Sequence, residues 1–315
     1  MWEILYYILL AIILSSIVFY FVSVFIAAYC VYMTILKRKT KEQWGRAVSD
    51  QSANHLKMDA IGIEWQKEND AYKEEVHIVH DGLNLYGEYY NFCFDKAVII
   101  LSGRTESLRY GYYFARPYSD LGFNVLVLDP RAHGLSDGVY NTVGFEESKD
   151  VLAWVNYLNE TYALNSIMFH GICIGAAGGM LAITSPDCPE NVVALVTEGM
   201  FANFGESMKN HLIERKKLMF PIMQAINFWM KVYTGHSMKK GPINYIHKMD
   251  KPLLMLQGKK DNYSLLEYAE KMYNLCPSKS KRLVLFDEGA HSMLRITDTK
   301  KYDLAISQFM KDYFN

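Results

Sequence analysis

The sequence predicts an α/β protein: a mostly parallel sheet with helices on both faces, a helical insertion, and one N-terminal transmembrane helix. Three observations lead to this prediction. The chain opens with a long uncharged segment. Short apolar runs then alternate with helical stretches, and one later interval rich in methionine and aromatic residues has no strand-like run. Half of the 315 residues are hydrophobic, which excludes a disordered or low-complexity chain.

The segment from Ile4 to Leu36 contains 33 residues without Asp, Glu, Lys or Arg. About 20 apolar residues span a bilayer, so this segment is long enough even when tilted. A buried core helix seldom runs this far without a charge. A signal peptide fits poorly, because the first three residues lack positive charge and the apolar run exceeds the usual length of about 7–15 residues. We predict an uncleaved transmembrane anchor over 1–36.

The charges that flank this segment predict its orientation. Four basic residues lie within 37–41, whereas only Glu3 precedes the apolar run. Positive residues stay on the cytoplasmic side of a membrane. We therefore expect a single-pass membrane protein with its catalytic domain on the cytoplasmic side. Four tyrosines suit the two interfacial belts: Tyr6, Tyr7, Tyr29 and Tyr32.

Charge and cysteine usage exclude other classes of protein. After residue 41 the chain holds 29 basic and 33 acidic residues, so a nucleic acid would find no global attraction. The five cysteines are widely spaced and odd in number, which gives no support to a disulfide framework or a zinc site. We predict no metal and no organic cofactor, since no ligand cluster or phosphate-cradling glycine loop is present.

The rest of the chain divides into a stalk, a core and an insertion. Residues 37–73 are basic and polar and form a juxtamembrane stalk that lies on the membrane or on the domain. Asp81-Gly82 is a strong hairpin signal between two strand-like runs, and six apolar runs that follow suit strands buried on both faces. The predicted core covers 74–201 and 250–315. Its strands are Glu74–His80, Leu83–Tyr90, Ala97–Leu101, Asn124–Asp129, Ser166–His170, Val192–Thr197, Leu253–Gln257 and Arg282–Phe286.

Helical patterns separate these strands. Glu146–Tyr162 has an apolar face, and Ala176–Ile183 is rich in small residues that allow a close approach to the sheet. Residues 202–249 are predicted to form a helical cap, in which Phe204–His236 forms one or two helices divided at Pro221. These apolar residues either pack only against one another or also line a pocket.

One motif carries chemistry. The strand that ends at His170 runs into Gly171-Ile172-Cys173-Ile174-Gly175, and a small-residue helix follows. A nucleophile elbow needs this arrangement, because glycines two residues before and after the central residue relieve crowding in a sharp turn. The central side chain is then exposed at a helix N-terminus, where the helix dipole and N–H groups favour a thiolate. Cys173 is therefore the candidate nucleophile.

Two further candidates follow in the chain order that a catalytic triad requires. Asp261 comes just after one strand and His291 just after the next. Carboxyl ends of parallel strands meet at one edge of a sheet, so these side chains are expected to converge on Cys173. His291 would take the thiol proton, and Asp261 would orient the imidazole. Asp287 and Glu198 are alternative acids, and His170 suits a buried, hydrogen-bonded position. Lys259, Lys260 and Arg104 are either solvated surface residues or, in the case of Arg104, a group that attracts a carboxylate or phosphate.

With these motifs, the chain from about residue 74 to 315 resembles an α/β-hydrolase. Ser102-Gly103-Arg104-Thr105-Glu106-Ser107 is similar to the family's HG-x-T-E-S segment, with Ser in place of the usual His. The resemblance implies that the backbone N–H groups of Arg104 and Ile174 form an oxyanion hole. The turn from Asp129 to Gly138 is similar to the family's D-x-R-G-x-G-x-S turn and is taken as structural, not as a source of a catalytic base in His133.

The elbow residue of the family is usually Ser, and Cys173 departs from it. Dienelactone hydrolases are members that use Cys. Three interpretations stay open for Cys173: a working nucleophile, an inert residue in a pseudoenzyme, or a redox-sensitive position. Three functions also stay open: a membrane-anchored hydrolase (an esterase or thioesterase acting on a small or lipid-like acyl substrate), an acyltransferase that uses the same nucleophile to acylate an amine or thiol, and a non-catalytic binding protein. All three share the fold.

Overall fold

The computed structural model describes residues 1–48, 51–214, 216 and 218–313. The few other residues of the predicted stalk, cap and core lie outside the described part. The strands are Lys73–His80 (β1), Leu83–Tyr90 (β2), Lys96–Leu101 (β3), Asn124–Leu128 (β4), Ser166–Ile172 (β5), Val192–Glu198 (β6), Leu253–Gly258 (β7) and Lys281–Phe286 (β8).

These strands form one sheet in the order β1-β2-β4-β3-β5-β6-β7-β8. β1 and β2 are an antiparallel hairpin, whose turn residues Asp81 and Gly82 both have positive φ. β2 is antiparallel to β4, and every later pair of neighbours is parallel. The prediction of a mostly parallel sheet is confirmed.

Helices cover both faces of the sheet. They are Trp2–Ile35 (α1), Ala53–Glu68 (α2), Leu108–Ser119 (α3), Phe145–Thr161 (α4), Ile174–Ile183 (α5), Phe204–Glu214 (α6), Ile222–Thr234 (α7), Leu266–Leu275 (α8), Leu294–Thr297 (α9) and Thr299–Tyr313 (α10). Along β3, Val98 and Ile100 pack in the layer that contains α3 and α10, while Ala97 and Ile99 pack in the layer that contains α4 and α8. Because both faces are buried, the strand reads as a continuous apolar run.

α3 was not predicted. Its sequence is rich in tyrosine and contains Gly111 and Pro117, which are poor helix formers. Gly111 lets the helix lie close to the sheet, since a Cβ there would be 3.1 Å from Cγ1 of Val127. α2 covers the outer side of α3, and the indole of Trp65 donates a hydrogen bond to Ser119 Oγ at 3.1 Å. This part of the predicted stalk therefore lies on the domain.

The N-terminal helix α1 is exposed along most of its length. It is long and apolar enough to cross a membrane, and its apolar window is not buried against the rest of the protein. Only its C-terminal part packs on the domain, where Ala28 and Tyr32 are buried. The chain that follows α1 is also fixed: the Arg38 guanidinium donates to the carbonyls of Gly134 at 2.8 Å and Ser136 at 3.2 Å.

Two helices, α6 and α7, occupy the interval between β6 and β7. Pro221 lies directly before α7, as the sequence predicts. The side chains of Phe204, Met208, Ile226 and Met230 are buried in one cluster with the last turns of α1. The insertion therefore packs on the C-terminal part of α1 as well as on the domain.

Candidate active site

The residue between β5 and α5 has a strained backbone. Cys173 has φ 54° and ψ −112°, a conformation that costs a non-glycine residue free energy. The flanking glycines are required by close contacts. A Cβ on Gly175 would lie 2.0 Å from the carbonyl oxygen of Leu101, and one on Gly171 would lie 2.4 Å from Cα of Ala176. The Gly-x-Cys-x-Gly spacing thus fits a turn that brings the Cys173 thiol to the N-terminus of α5.

The loops after β7 and β8 bring the predicted acid and histidine together. Their backbones touch, since a Cβ on Gly258 would lie 2.0 Å from the carbonyl oxygen of Gly289. The His291 Nδ1 atom lies 2.8 Å from Asp261 Oδ2. The other carboxylate oxygen accepts two backbone N–H groups of its own loop, both at 2.8 Å. Asp261 is therefore buried and fixed, and it orients the imidazole ring.

The charge on His291 is stabilised by its neighbours. Burial alone lowers the pKa of this imidazole, but the charge of Cys173, the carboxylate of Asp261 and hydrogen bonds to both outweigh burial. The net effect raises the pKa of His291 well above its ordinary value. A positive charge on His291 is therefore favoured by Cys173 and Asp261 together, as transfer of the thiol proton to this imidazole requires.

The predicted oxyanion donors lie beside the thiol. Gly103 approaches it closely, since a Cβ on that glycine would be 3.7 Å from the Cβ of Cys173. Among the described residues, the N–H groups of Arg104 and Ile174 donate no hydrogen bond to another group. Ser102 is buried and donates to the carbonyl of Ser107 at 3.3 Å, away from the cavity.

A buried polar network supports the histidine loop. Glu198, at the end of β6, accepts the N–H of Leu294 at 3.0 Å and the hydroxyl of Tyr302 at 2.7 Å. Burial raises the pKa of Glu198 against these hydrogen bonds. Tyr302 also contacts His170 Nε2 at 2.9 Å, and burial lowers the pKa of His170 to about 3. This network fixes the backbone just after His291, at Leu294.

The alternatives to the predicted triad lie elsewhere. Asp287 pairs with Lys259 at 2.6 Å on the surface, and Glu288 pairs with Lys260. Glu198 binds Leu294 and Tyr302 instead of His291 Nδ1, and His170 is buried as predicted. His133 is buried and stacks on Trp44 with ring centroids 4.9 Å apart, so it is far from solvent and supports a turn.

Comparisons with known proteins agree with this architecture. No family model matches the chain. YqkD of Bacillus subtilis (strain 168), a protein described as uncharacterized, is 27% identical over 218 residues, which are 68% of this chain and 71% of YqkD. The Pyrococcus furiosus esterase Pf2001 superposes with a TM-score of 0.67 and 22% identity over 86% of this chain and 97% of its own. The fold is that of the α/β-hydrolases.

Two other solved structures with this fold differ more in sequence. Est1E from Butyrivibrio proteoclasticus, solved with ferulic acid, gives a TM-score of 0.58 and 19% identity over 76% of this chain and 98% of its own. A membrane phospholipase A, described as a bacterial virulence factor, gives a TM-score of 0.58 and 14% identity over 83% of this chain and 93% of its own. The helices α6 and α7 lie within residues 202–249, the interval predicted to form a cap.

A cavity of about 510 Å³ opens above the elbow of this α/β-hydrolase fold, within the usual range of ligand pockets of about 300–1,000 Å³. Cys173 and His291 line it together with residues of the predicted cap. Sequence reasoning missed three contributions, because each comes from a segment without a motif: Ile35 at the end of α1, His55 on α2 and Tyr110 on α3.

Arg104 is not a solvated surface residue. Its side chain lies in the cavity, and its Nη1 donates a hydrogen bond to the carbonyl of Ile35 at 3.0 Å. Burial lowers the pKa of this guanidinium against the opposing influence of Cys173. The guanidinium therefore joins the last turn of α1 to the loop that carries a predicted oxyanion donor.

Proposed function

We propose that this protein is a hydrolase of carboxylic esters or thioesters that uses Cys173 as its nucleophile. The observation that carries the proposal is the convergence, on one cavity, of a strained elbow cysteine with the His291–Asp261 pair. The likeness to esterases of the α/β-hydrolase fold supports the same reaction class. The substrate class proposed is a small or lipid-like acyl compound.

The proposed reaction has two steps. Cys173 Sγ bonds to the acyl carbon while His291 accepts the thiol proton, and the N–H groups of Arg104 and Ile174 stabilise the oxyanion. The bond to the leaving oxygen or sulfur then breaks, and that atom takes the proton from His291. In the second step His291 removes a proton from water, the hydroxide attacks the thioester, and the C–S bond breaks. The acid leaves and the thiol recovers its proton.

The test is the mass of the intact full-length chain in detergent, quenched in acid within seconds of mixing with activated acyl esters of graded chain length. We expect one acyl adduct on Cys173 that decays in water. An adduct that persists until an amine or thiol is added indicates an acyltransferase instead. Equal labelling of every exposed cysteine, or no adduct, contradicts the proposal and favours a non-catalytic binding protein.

The raised pKa of His291 predicts an unusual pH dependence. A positive charge on His291, which its raised pKa favours, would attract a negative charge on the neighbouring sulfur. We expect the rate at which iodoacetamide alkylates Cys173 to fall less from pH 8 to pH 6 than the rate for an exposed thiol. The exposed thiol of Cys93 is the reference, since an ordinary thiol loses about tenfold in thiolate per pH unit. In His291→Ala, the alkylation rate of Cys173 should have the same pH dependence as that of Cys93. If the two cysteines already have the same pH dependence in the wild type, this prediction is wrong.

His133 is expected to position the oxyanion loop. Its Nε2 contacts the carbonyl of Arg104, and burial lowers the pKa of this imidazole to about 4 against the opposing influence of two backbone carbonyls. We expect His133→Ala to slow acylation by an activated ester about ten- to a hundredfold, less than the loss of an oxyanion donor itself. Alkylation of Cys173 by iodoacetamide, which forms no oxyanion, should stay unchanged. Leu135→Ala, at an exposed position of the turn that carries His133, is the control.

An equal fall in acylation and alkylation after His133→Ala would indicate general collapse of the loop and not a positioning role.

We further propose that α1 anchors this hydrolase in a membrane with the domain on the cytoplasmic side. The exposed, uncharged surface of α1 and the basic residues within 37–41 support this placement. The side chain of Ile35 lies at the cavity, so the anchor would hold the active site close to the bilayer surface. A lipophilic acyl substrate fits this location.

A further inference from the structure

The cap helix α7 runs alongside the C-terminal part of α1 and in the same direction. Trp229 packs on Phe25, with ring centroids 4.7 Å apart, and its indole donates to the Phe25 carbonyl at 3.1 Å. One turn later Tyr233 stacks on Tyr32 at 5.5 Å. Because residue numbers rise together in both helices, the N-terminal end of α7 points back toward the N-terminal end of α1.

This direction sets the depth of the cap relative to the anchor. α7 begins at Ile222, seven residues before Trp229, which corresponds to about 10 Å of helix. The start of α7 therefore lies about 10 Å beyond the level of Phe25, beside the exposed part of α1. The residues just before α7 extend at least as far.

These residues form an exposed apolar tip, defined as Leu218, Met219 and Phe220. Leu218 is 78% exposed and Phe220 is 66% exposed. On α7 itself, Phe228 is also exposed, and its ring packs on Phe25 at 5.1 Å. The apolar surface of the anchor thus continues onto α7 at Phe228.

An aromatic group marks the boundary of this surface. Tyr29 packs on Trp229 at 5.0 Å, and such rings gather at the membrane–water interface. Lys231, two residues after Trp229, is exposed at the same level, where anionic lipid headgroups attract it. Burial of α1 begins at this level, at Ala28. If the ring pair lies at the interface, the tip lies in the hydrocarbon.

We propose that the tip of the cap is inserted in the same bilayer leaflet that α1 crosses, so that the cap lies in direct contact with lipid acyl chains. The proposal rests on the proposed membrane anchoring of α1. Lipid is the occupant that fits, because a surface at the depth of the anchor's apolar segment meets acyl chains and not water. A depth of about 10 Å agrees with the 5–10 Å to which interfacial apolar faces are buried.

Insertion of the tip would also give lipid a route to the cavity. Phe204 and Met208 of α6 line the cavity from the cap, and Ile35 lines it from the anchor. The cavity is therefore bounded by the two elements that contact the membrane. An acyl chain would then pass from the leaflet to Cys173 without crossing water.

The test measures the depth of single fluorophores in full-length protein reconstituted in phosphatidylcholine–phosphatidylglycerol vesicles. The background carries Cys30→Ser, Cys93→Ser and Cys173→Ala, and its own labelling reports the two remaining thiols. A nitrobenzoxadiazole fluorophore is attached after Leu218→Cys, Phe19→Cys or Val79→Cys. These three positions are 78%, 74% and 78% exposed, so they are matched. Phe19 reports the anchor, and Val79, on the β1–β2 hairpin, reports the domain surface.

We expect the fluorophore at position 218 to be quenched by doxyl-labelled lipid and protected from aqueous iodide, like that at position 19, while position 79 shows the reverse. Iodide quenching at 218 with lipid quenching at 19 overturns the proposal and leaves the anchor intact. Iodide quenching at both positions overturns the anchoring and the insertion together.

Discussion

Replacement of Cys173 by alanine is expected to remove both the acyl adduct and ester hydrolysis. Cys173 occupies the elbow, where its sulfur lies beside His291 and at the N-terminus of α5. His291→Ala should slow acylation by about 10²–10⁴-fold, the usual contribution of a general base. Asp261→Asn should also slow it, because an amide cannot stabilise the imidazolium. Steady-state hydrolysis of an activated ester and intact mass measure both effects.

The control for this prediction is Cys188→Ala. Cys188 is half-buried like Cys173 but lies after α5, away from the cavity, and burial raises the pKa of its thiol. We expect its replacement to leave both rates unchanged. If hydrolysis survives in Cys173→Ala, the nucleophile is another group and the proposed mechanism is wrong. If only Cys173→Ser keeps activity, the reaction needs a nucleophile at the elbow but not specifically a thiol.

The second large effect concerns the stability of the elbow. In Gly175→Ala, the new Cβ would lie 2.0 Å from the Leu101 carbonyl oxygen and 2.7 Å from that of Ser102. Both are backbone atoms of the central sheet or the loop that follows it, so they cannot rotate away. We expect a loss of about 3 kcal/mol of unfolding free energy, the upper end of the overpacking range. For a domain of this size, that lowers Tm by roughly 6–12 °C.

Gly178→Ala, in the same helix, is the matched control for Gly175→Ala. The nearest atom to its new Cβ is 3.8 Å away, which is an ordinary contact. Because alanine favours a helix over glycine by up to about 1 kcal/mol, this variant should be as stable as the wild type or more stable. Thermal unfolding in detergent compares the two. Equal Tm values for both variants would show that the close packing at residue 175 is not needed.

The strands and the elbow could be predicted because their signals are local. Each apolar run ends within two residues of the corresponding strand, since a strand buried on both faces needs apolar residues in continuous sequence. The Gly-x-Cys-x-Gly motif predicts a sharp turn because only glycine tolerates the contacts at residues 171 and 175. The catalytic roles of Cys173, Asp261 and His291 stay predictions until they are measured.

α3 shows where local signals failed. Its glycine, proline and four tyrosines have low helix propensity, and it is packed between the sheet and α2. Nine of its twelve residues are buried in contacts with other parts of the protein. The tertiary packing, and not the propensity of the segment, stabilises this helix.

The sequence alone determined the sheet, the N-terminal apolar helix and the order of the three candidate catalytic residues, since each depends on composition or spacing within a short segment. Only the tertiary structure decided how the helix meets the domain. In the folded protein, Arg104 is buried against Ile35, Arg38 binds the loop after β4, and α7 lies parallel to α1. These contacts join residues about 70, 100 and 200 positions apart, and no local pattern specifies which distant surfaces pack together.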